Sequence, residues 1–237
     1  MITFDDVKIG PNLYQLKELT FNEALKVSVI QKDLNEKRIT EFLRNVLVSD
    51  QDPLKMFVQE RYAILLKYLE KQTNTLLSIN IDMQQYLPKL NTDWLPEISV
   101  KGAVVRQMSG FEAEYLESKC KSVAEWIACA MAIQLKYDKH EKLDAFPDPE
   151  ENDFEIHFLE RLEYLKSLPQ SEFEQHYQVY ADLNDLLCTV VDLAVNDQGF
   201  VVRGTDDAPL RFCPSAAFIG FVKDVDELRY GNSIQTQ

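Results

Sequence analysis

Apolar residues recur every three or four positions through most of this chain, and each helical stretch opens on its own start signal. In TFNEALKVSVIQKD, Thr20 and Glu23 have capping-box spacing, where each side chain satisfies the other's orphan N–H, so a helix is expected to start near Thr20. Asn35 is expected to cap the next, EKRITEFLRNVLV, in which Ile39, Phe42, Leu43, Val46 and Leu47 repeat at helical spacing. A third should begin at DPLKMFVQERYAILLKYLEK: Asp52 can cap it, and Pro53 suits a first helical position, where its missing N–H would be unpaired anyway. Leu54, Phe57, Val58, Leu65 and Leu69 would line its apolar side. Ser109 with Glu112, and Ser122 with Glu125, repeat the capping-box spacing at SGFEAEYLESKC and SVAEWIACAMAIQLKYD. In the latter, small Ala124, Ala128, Cys129 and Ala132 share the helix with large Val123, Trp126, Ile127, Ile133 and Tyr137, which predicts close packing on more than one side.

Between Thr73 and Met108 the texture changes to short β-branched runs with Pro88 and Pro96, read as two or three short strands or extended pieces. Glu141 to Asp153, with two prolines, many acids and little apolar content, reads as a surface loop or linker. It separates a mainly helical region, 1–143, from a C-terminal region, 144–237, unless the two form one compact domain. Beyond it come FEIHFLERLEYLKSL and a long helix opened by Ser171 and Glu174. In that helix Phe173, Tyr177, Tyr180, Leu187, Val191 and Ala194 share a heptad track with Asn184, which is read as the rim of an ordinary bundle rather than a coiled-coil seam. Near the end, VVR and LRF flank GTDDAP and predict a β-hairpin over 199–213, able to pair with the strands of the middle region. CPSAA then resembles a turn that starts a short helix. The fold class expected is α+β and predominantly α-helical: a bundle-like body with a small antiparallel sheet or hairpin.

Composition narrows the function more than the fold. At 237 residues and 46% hydrophobic content the chain can bury a sizeable core without staples. A net charge of −14, from 39 acids against 25 Lys and Arg, would repel a phosphate backbone, so nucleic acid is not an expected partner. No stretch reaches the roughly 20 apolar residues that span a bilayer, and the N-terminus has no basic run followed by an apolar one, which together point to a cytoplasm. Cys120, Cys129, Cys188 and Cys213 stand in apolar contexts and read as free thiols.

No motif specifies a reaction. Cys213 at a helix start is the residue a thiol-dependent hydrolase would use, but His140, His157 and His176 lie in ordinary helical or linker text and no local signature surrounds the cysteine. Neither CxxC nor HExxH occurs, chelation by Cys120 and Cys129 would need an unusual turn, and DPEEND from Asp148 lacks the glycine and distal glutamate of an EF-hand. No metal is expected. Seven dispersed glycines form no phosphate cradle, so no nucleotide or other cofactor is expected either. The Tyr and Phe content suits buried core at most positions and protein interfaces at exposed ones.

Three stretches, LKELTFNEALKVSVIQKDLNEKRITEFL, DPLKMFVQERYAILLKYLE and VRQMSGFEAEYLESKCKSVAEWIACAMAIQL, resemble tailed-bacteriophage virion proteins that build the tail tip or baseplate. The resemblance covers roughly the first 140 residues, together with VDLAVNDQGF and RFCPSAAF near the end. Some baseplate hub assembly proteins of that kind carry a CxxC-type metal knuckle, which this chain lacks, and no catalytic residues carry over. The resemblance implies a non-enzymatic structural or assembly protein whose partners are other tail and baseplate proteins or copies of itself. It would work in the host cytoplasm during assembly, as a transient factor or a lasting virion component. On that reading Phe200, Arg203, Asp206, Asp207, Arg211 and Phe212 would form a docking surface or clamp the sheet. The competing classes are the Cys213 hydrolase and an acidic inhibitor that mimics nucleic acid; the latter needs its acids on one face, and they are spread over nearly every helix.

Overall fold

The computed structural model describes residues 2–72, 83–205 and 209–214. The described part of the chain is α+β and mainly helical. An N-terminal hairpin, β1 (Val7–Ile9) and β2 (Asn12–Tyr14), leads into α1 (Phe21–Ser28), α2 (Asn35–Val46) and α3 (Val58–Gln72). After a 3-10 turn at Met83–Gln85 come β3 (Glu97–Val100), β4 (Ala103–Arg106), α4 (Gly110–Lys119), α5 (Val123–Gln134) and β5 (Leu135–Tyr137). Then follow α6 (Phe154–Ser167), α7 (Gln170–Leu187) and a second hairpin, β6 (Leu193–Asn196) and β7 (Gly199–Val202). Sheet order β3-β4-β5 is antiparallel throughout, with Ile98 opposite Val105 and Val105 opposite Leu135.

The local start signals act as read. Thr20 and Glu23 close a full capping box, Thr20 N–H donating to Glu23 Oε2 at 2.7 Å, and Ser109 with Glu112 does the same at 2.8 Å. At Ser122 the box is half made: Ser122 Oγ accepts from Glu125 N, while the Glu125 carboxylate reaches back to Lys121 N at 2.6 Å. α5 packs against α4, α6, β4, β5 and β6, so it is covered on several sides.

Where distant contacts intervene, the elements differ from the expectation. Asn35 is no cap: it lies inside the first turn of α2, fully buried, and its amide donates to Tyr62 Oη at 3.4 Å and Phe212 O at 3.1 Å. α3 starts at Val58 rather than at Asp52 and Pro53, because Leu54 to Val58 runs beside Met108 to Phe111. Gly110 N donates to Met56 O at 2.8 Å and Val58 N to Met108 O at 2.9 Å, which diverts the segment from helical bonding. Asp52 instead holds a tight turn by accepting from Leu54 N. The helix at Ser122 ends at Gln134, since Leu135–Tyr137 pairs with β4.

α7 likewise begins at Gln170 behind Pro169, with no side-chain cap from Ser171, and ends at Leu187, so Val191 and Ala194 leave the heptad track. Tyr180, Leu183 and Leu187 form its buried face and Asn184 is half-buried. The terminal hairpin is also re-paired: β7 takes β6 as its partner, turning through Asn196 to Gly199, where Gly199 has φ +99° and Asn196 Oδ1 accepts from Gln198 N. LRF touches it at one bridge, Val202 with Leu210, and this hairpin forms a sheet separate from β3-β4-β5. The strand reading for Thr73 to Asp82, half of GTDDAP and most of CPSAA lie outside the described residues.

One cluster of buried residues runs from Val7 to Phe212 and includes members on both sides of the 143/144 boundary. The linker between them is anchored at several points. Leu143 is fully buried and its carbonyl accepts from Tyr137 N, while Ala145 O and Pro147 O accept from Arg161 and Arg106. Arg161, buried in α6, bonds Ala132 O at 2.6 Å and Leu135 O as well, so its guanidinium caps the C-terminal end of α5 where the dipole favours a cation.

Gly110 is where a side chain is least tolerable. A Cβ there would lie 1.8 Å from Arg61 Nη1 and 2.5 Å from Pro53 O. Gly110→Ala is therefore expected to lower stability by about 3 kcal/mol in urea unfolding; a loss below about 0.5 kcal/mol, the size of an ordinary surface change, would contradict this packing.

Candidate functional site

The β6–β7 hairpin closes over a cleft whose other walls are α3, α5 and α7, with a cavity of about 230 Å³. The elements are held apart by directional bonds as well as by packing. Tyr180 Oη donates to Gln134 Oε1 at 2.8 Å, and Gln134 Nε2 donates to Arg106 O at 2.7 Å, linking α7, α5 and β4. Gln107 Nε2 bonds Leu187 O at 3.0 Å and so fixes the end of α7. Gln59 Oε1, on α3, accepts from Val190 N and Val191 N at 3.0 and 3.1 Å. The hairpin is tied at its base by Arg203, which donates to Asp192 Oδ1 at 2.6 Å and Asp185 Oδ1 at 3.2 Å. At its tip, Gly199 allows the turn to lie on the Trp126 ring, where an added Cβ would meet Cζ2 at 3.3 Å.

Phe200 crosses Trp126 edge to face at 5.4 Å and Tyr62 at 6.2 Å. Trp126, Ile127, Tyr177, Val195 and Phe200 give the cleft a mainly apolar wall. A second, more polar recess of about 350 Å³ lies on the far side of Asp185, Cys188 and Arg203, lined also by Gln85, Tyr86, Lys89 and Thr205. Burial pushes the Cys188 thiol up to about 11, so it is a poor nucleophile at neutral pH.

A second concentration of chemistry lies where the C-terminal run meets α2 and α4. Arg61 is fully buried and donates to Pro53 O at 3.1 Å, Glu36 O at 2.7 Å and Glu36 Oε2 at 3.3 Å; Tyr62 Oη donates to Glu36 Oε1 at 2.7 Å. Glu117, from α4, caps α2 in place of the missing side-chain cap: its carboxylate accepts from Glu36 N at 2.9 and 3.0 Å and from Lys37 N at 3.5 Å, and receives Arg211 Nη2 at 3.1 Å. Burial first, then the Glu36 carboxylate, push Glu117 up to about 7, against the pull of Arg211 and the backbone donors. Burial raises Glu36 as well, with Arg61 and Tyr62 opposing.

The residues expected to dock are thus brought to two places. Phe200 and Arg203 belong to the cleft, whereas Arg211 and Phe212 belong to the Glu36–Glu117 cluster, Phe212 packing on Tyr86 at 5.2 Å. Asp206 and Asp207 lie outside the described residues. Cys213 sits beside Arg211, Arg38, Glu117 and Glu36, and its thiol is raised, chiefly by burial. No histidine is among those neighbours. His140 and His176 instead form a separate cluster with Tyr164 and Tyr137, at 3.2 and 2.8 Å, and His157 pairs with Asp153.

Three arrangements escaped the sequence reading. Cys120 and Cys129, nine apart, are brought close enough by the turn between α4 and α5 for the two thiols to interact, which raises Cys120 and lowers Cys129. Glu151, Asp153 and His157 place one ligand atom each within 4.8 Å of one another, on the exposed start of α6. Along α1 and its C-cap, Phe21, Leu25 and Val29 recur at every fourth position and are 65%, 37% and 79% exposed, while Val27 is the buried residue of the helix. That spacing was visible in TFNEALKVSV, where only the helix start at Thr20 was read. Comparison with protein-family models, with curated proteins and with solved structures finds no match.

A carboxyl whose folded pKa is raised binds protons that the unfolded chain releases, so its share of stability is present below the unfolded value near 4.5 and lost as pH climbs towards about 7. Glu117→Gln keeps an acceptor for the α2 N-terminus without that titration. Its stability relative to the wild type is expected to improve steadily from pH 5 to pH 8 in parallel urea titrations; a difference independent of pH would refute the raised value.

Proposed function

We propose that the chain is a non-enzymatic structural or assembly protein that works through protein–protein contacts, with bacteriophage tail and baseplate proteins as its partners. The observation that carries the reading is the solvent-exposed apolar stripe along α1 and its C-terminal cap. Phe21 and Leu25 on α1 and Val29 at its C-cap fall on one side and are all exposed. Scattered apolar residues on a surface need no explanation, but three at i, i+4 and i+8 form a continuous stripe, the pattern by which an amphipathic helix anchors in a partner's groove.

The capping box at Thr20 and Glu23 supports this assignment, because it pre-forms the helix so that little ordering is left to do on binding. Phe200, Arg203, Arg211 and Phe212 favour the clamp over the docking surface, since their contacts are made inside the chain. Assembly in a host cytoplasm and the phage partners follow from the sequence resemblance alone.

The alternatives have less support. A hydrolase built on Cys213 would require a base to lower its pKa, whereas burial raises it. A nucleic-acid mimic would display its carboxylates, yet Glu36, Glu60 and Glu112 are fully buried and bonded within the chain.

Phe21→Ser with Val29→Ser removes the stripe without touching the core. The double variant is expected to retain the wild-type melting temperature within about 2 °C, as surface changes do. It should lose co-migration with purified tail and baseplate polypeptides in light-scattering chromatography. Unchanged co-migration would move the contact away from α1, and wild-type protein that engages no tail polypeptide would sink the phage reading itself.

A further inference from the structure

The cleft under the terminal hairpin contains one polar group that the fold leaves unused. Gln59 is 1% exposed and lines the cavity; its Oε1 is engaged by the two backbone donors of Val190 and Val191, which fixes the orientation of the amide. Its Nε2, on the other side, has no hydrogen-bond partner. A buried donor without an acceptor costs on the order of 1–3 kcal/mol, so its persistence is a feature to be explained.

We propose that this cleft is a binding site for a small, neutral, flat, mainly apolar molecule with one hydrogen-bond acceptor, such as an aromatic ketone or amide, whose oxygen receives the Gln59 Nε2–H. Three features select that class. The volume of about 230 Å³ exceeds the roughly 150 Å³ that holds a benzene ring, which leaves room for one ring and a short polar substituent. Trp126, Tyr177 and Phe200 line the cleft, surfaces that favour stacking or edge contacts with another ring.

Charge supplies the third. Among the described residues the one cation in the wall, Arg203, is already matched by Asp185 and Asp192, so an anionic ligand would face two carboxylates for one guanidinium, and a cationic one would have no free counter-ion inside. Access is open at that end: the Arg203 and Asp185 side chains are 41% and 66% exposed, and Tyr177 is 37% exposed. The site does not depend on the α1 contact surface.

Acetophenone is the test probe, with α-methylstyrene as its near-isostere lacking the carbonyl. Titration of ¹⁵N-labelled protein is expected to shift the Gln59 side-chain amide and the Trp126 indole resonances saturably in the millimolar range. α-Methylstyrene should bind roughly tenfold more weakly, the worth of one hydrogen bond, and leave the Gln59 amide unmoved. Filling the cavity with Ala130→Leu, or from the opposite wall with Ala181→Leu, should weaken acetophenone at least roughly tenfold, since a close-packed wall leaves it no room. Absence of any Gln59 shift, equal binding of the two probes, or undiminished binding to a folded filled variant would each overturn the proposal. So would a resident water on Gln59 that saturating acetophenone does not displace.

Discussion

The pairing of Arg61 with Glu36 in the middle of the protein is the constraint on which the surrounding elements are arranged. Neither side chain reaches water, and the guanidinium also takes the carbonyls of Pro53 and Glu36, so α2, α3 and the segment before α3 converge on one cation. Such a pair is not strong evidence of net stability, because desolvating two charges offsets much of their attraction. What it imposes is specificity. A half-made version would leave a buried charge costing about 3–5 kcal/mol, so only arrangements that assemble all its partners are tolerated. Gly110 is one of the conditions, since a side chain at the start of α4 would occupy the place of the guanidinium. Tyr62 and Asn35 extend the network to Phe212 O, which brings the C-terminal run into the same dependence.

The acidic composition is partly explained from within. Glu23, Glu112 and Glu117 spend their carboxyl oxygens as acceptors for the orphan N–H groups at helix N-termini, and Glu117 does so for a helix other than its own. Glu60 accepts from Tyr14 Oη, Asn12 Nδ2 and Phe57 N at 2.5, 2.9 and 2.9 Å, pinning the N-terminal hairpin to the start of α3. Glu112 is additionally held by Arg106. These carboxylates are structural fasteners. The net charge of −14 is thus a poor guide to what the outer surface offers a partner.

How much could be read in advance follows the range of the interactions. The capping boxes at Thr20 and Ser109 were legible because both members lie three residues apart, and the mainly helical α+β class followed from their periodicity. Asn35 was not, because what competes for its amide lies 27 and 177 residues away, at Tyr62 and Phe212. The start of α3 was masked in the same way by its pairing with Met108 to Phe111. The terminal hairpin was legible as a hairpin but not in its pairing: the heptad track through Val191 and Ala194 absorbed the residues that form β6, although the Asn196-to-Gly199 turn was in plain text. Nothing local marks Gln59, whose role depends on two backbone groups 131 and 132 residues further on.

The cleft, finally, is better understood as something the fold holds open than as a packing defect. An apolar gap between helices costs on the order of 24 cal/mol per Å³, and elements joined only by non-directional contacts would slide to close it. Here each wall is tied at a set distance by a directional bond. Tyr180 to Gln134 spaces α7 from α5, Gln107 to Leu187 O fixes the end of α7, and Arg203 with its two aspartates fixes the base of the hairpin. Small residues on the facing helices, Ala130 and Ala181, leave the intervening space unfilled. Closing the cleft would require breaking several of these hydrogen bonds together, so its shape is set by the polar links that join its walls.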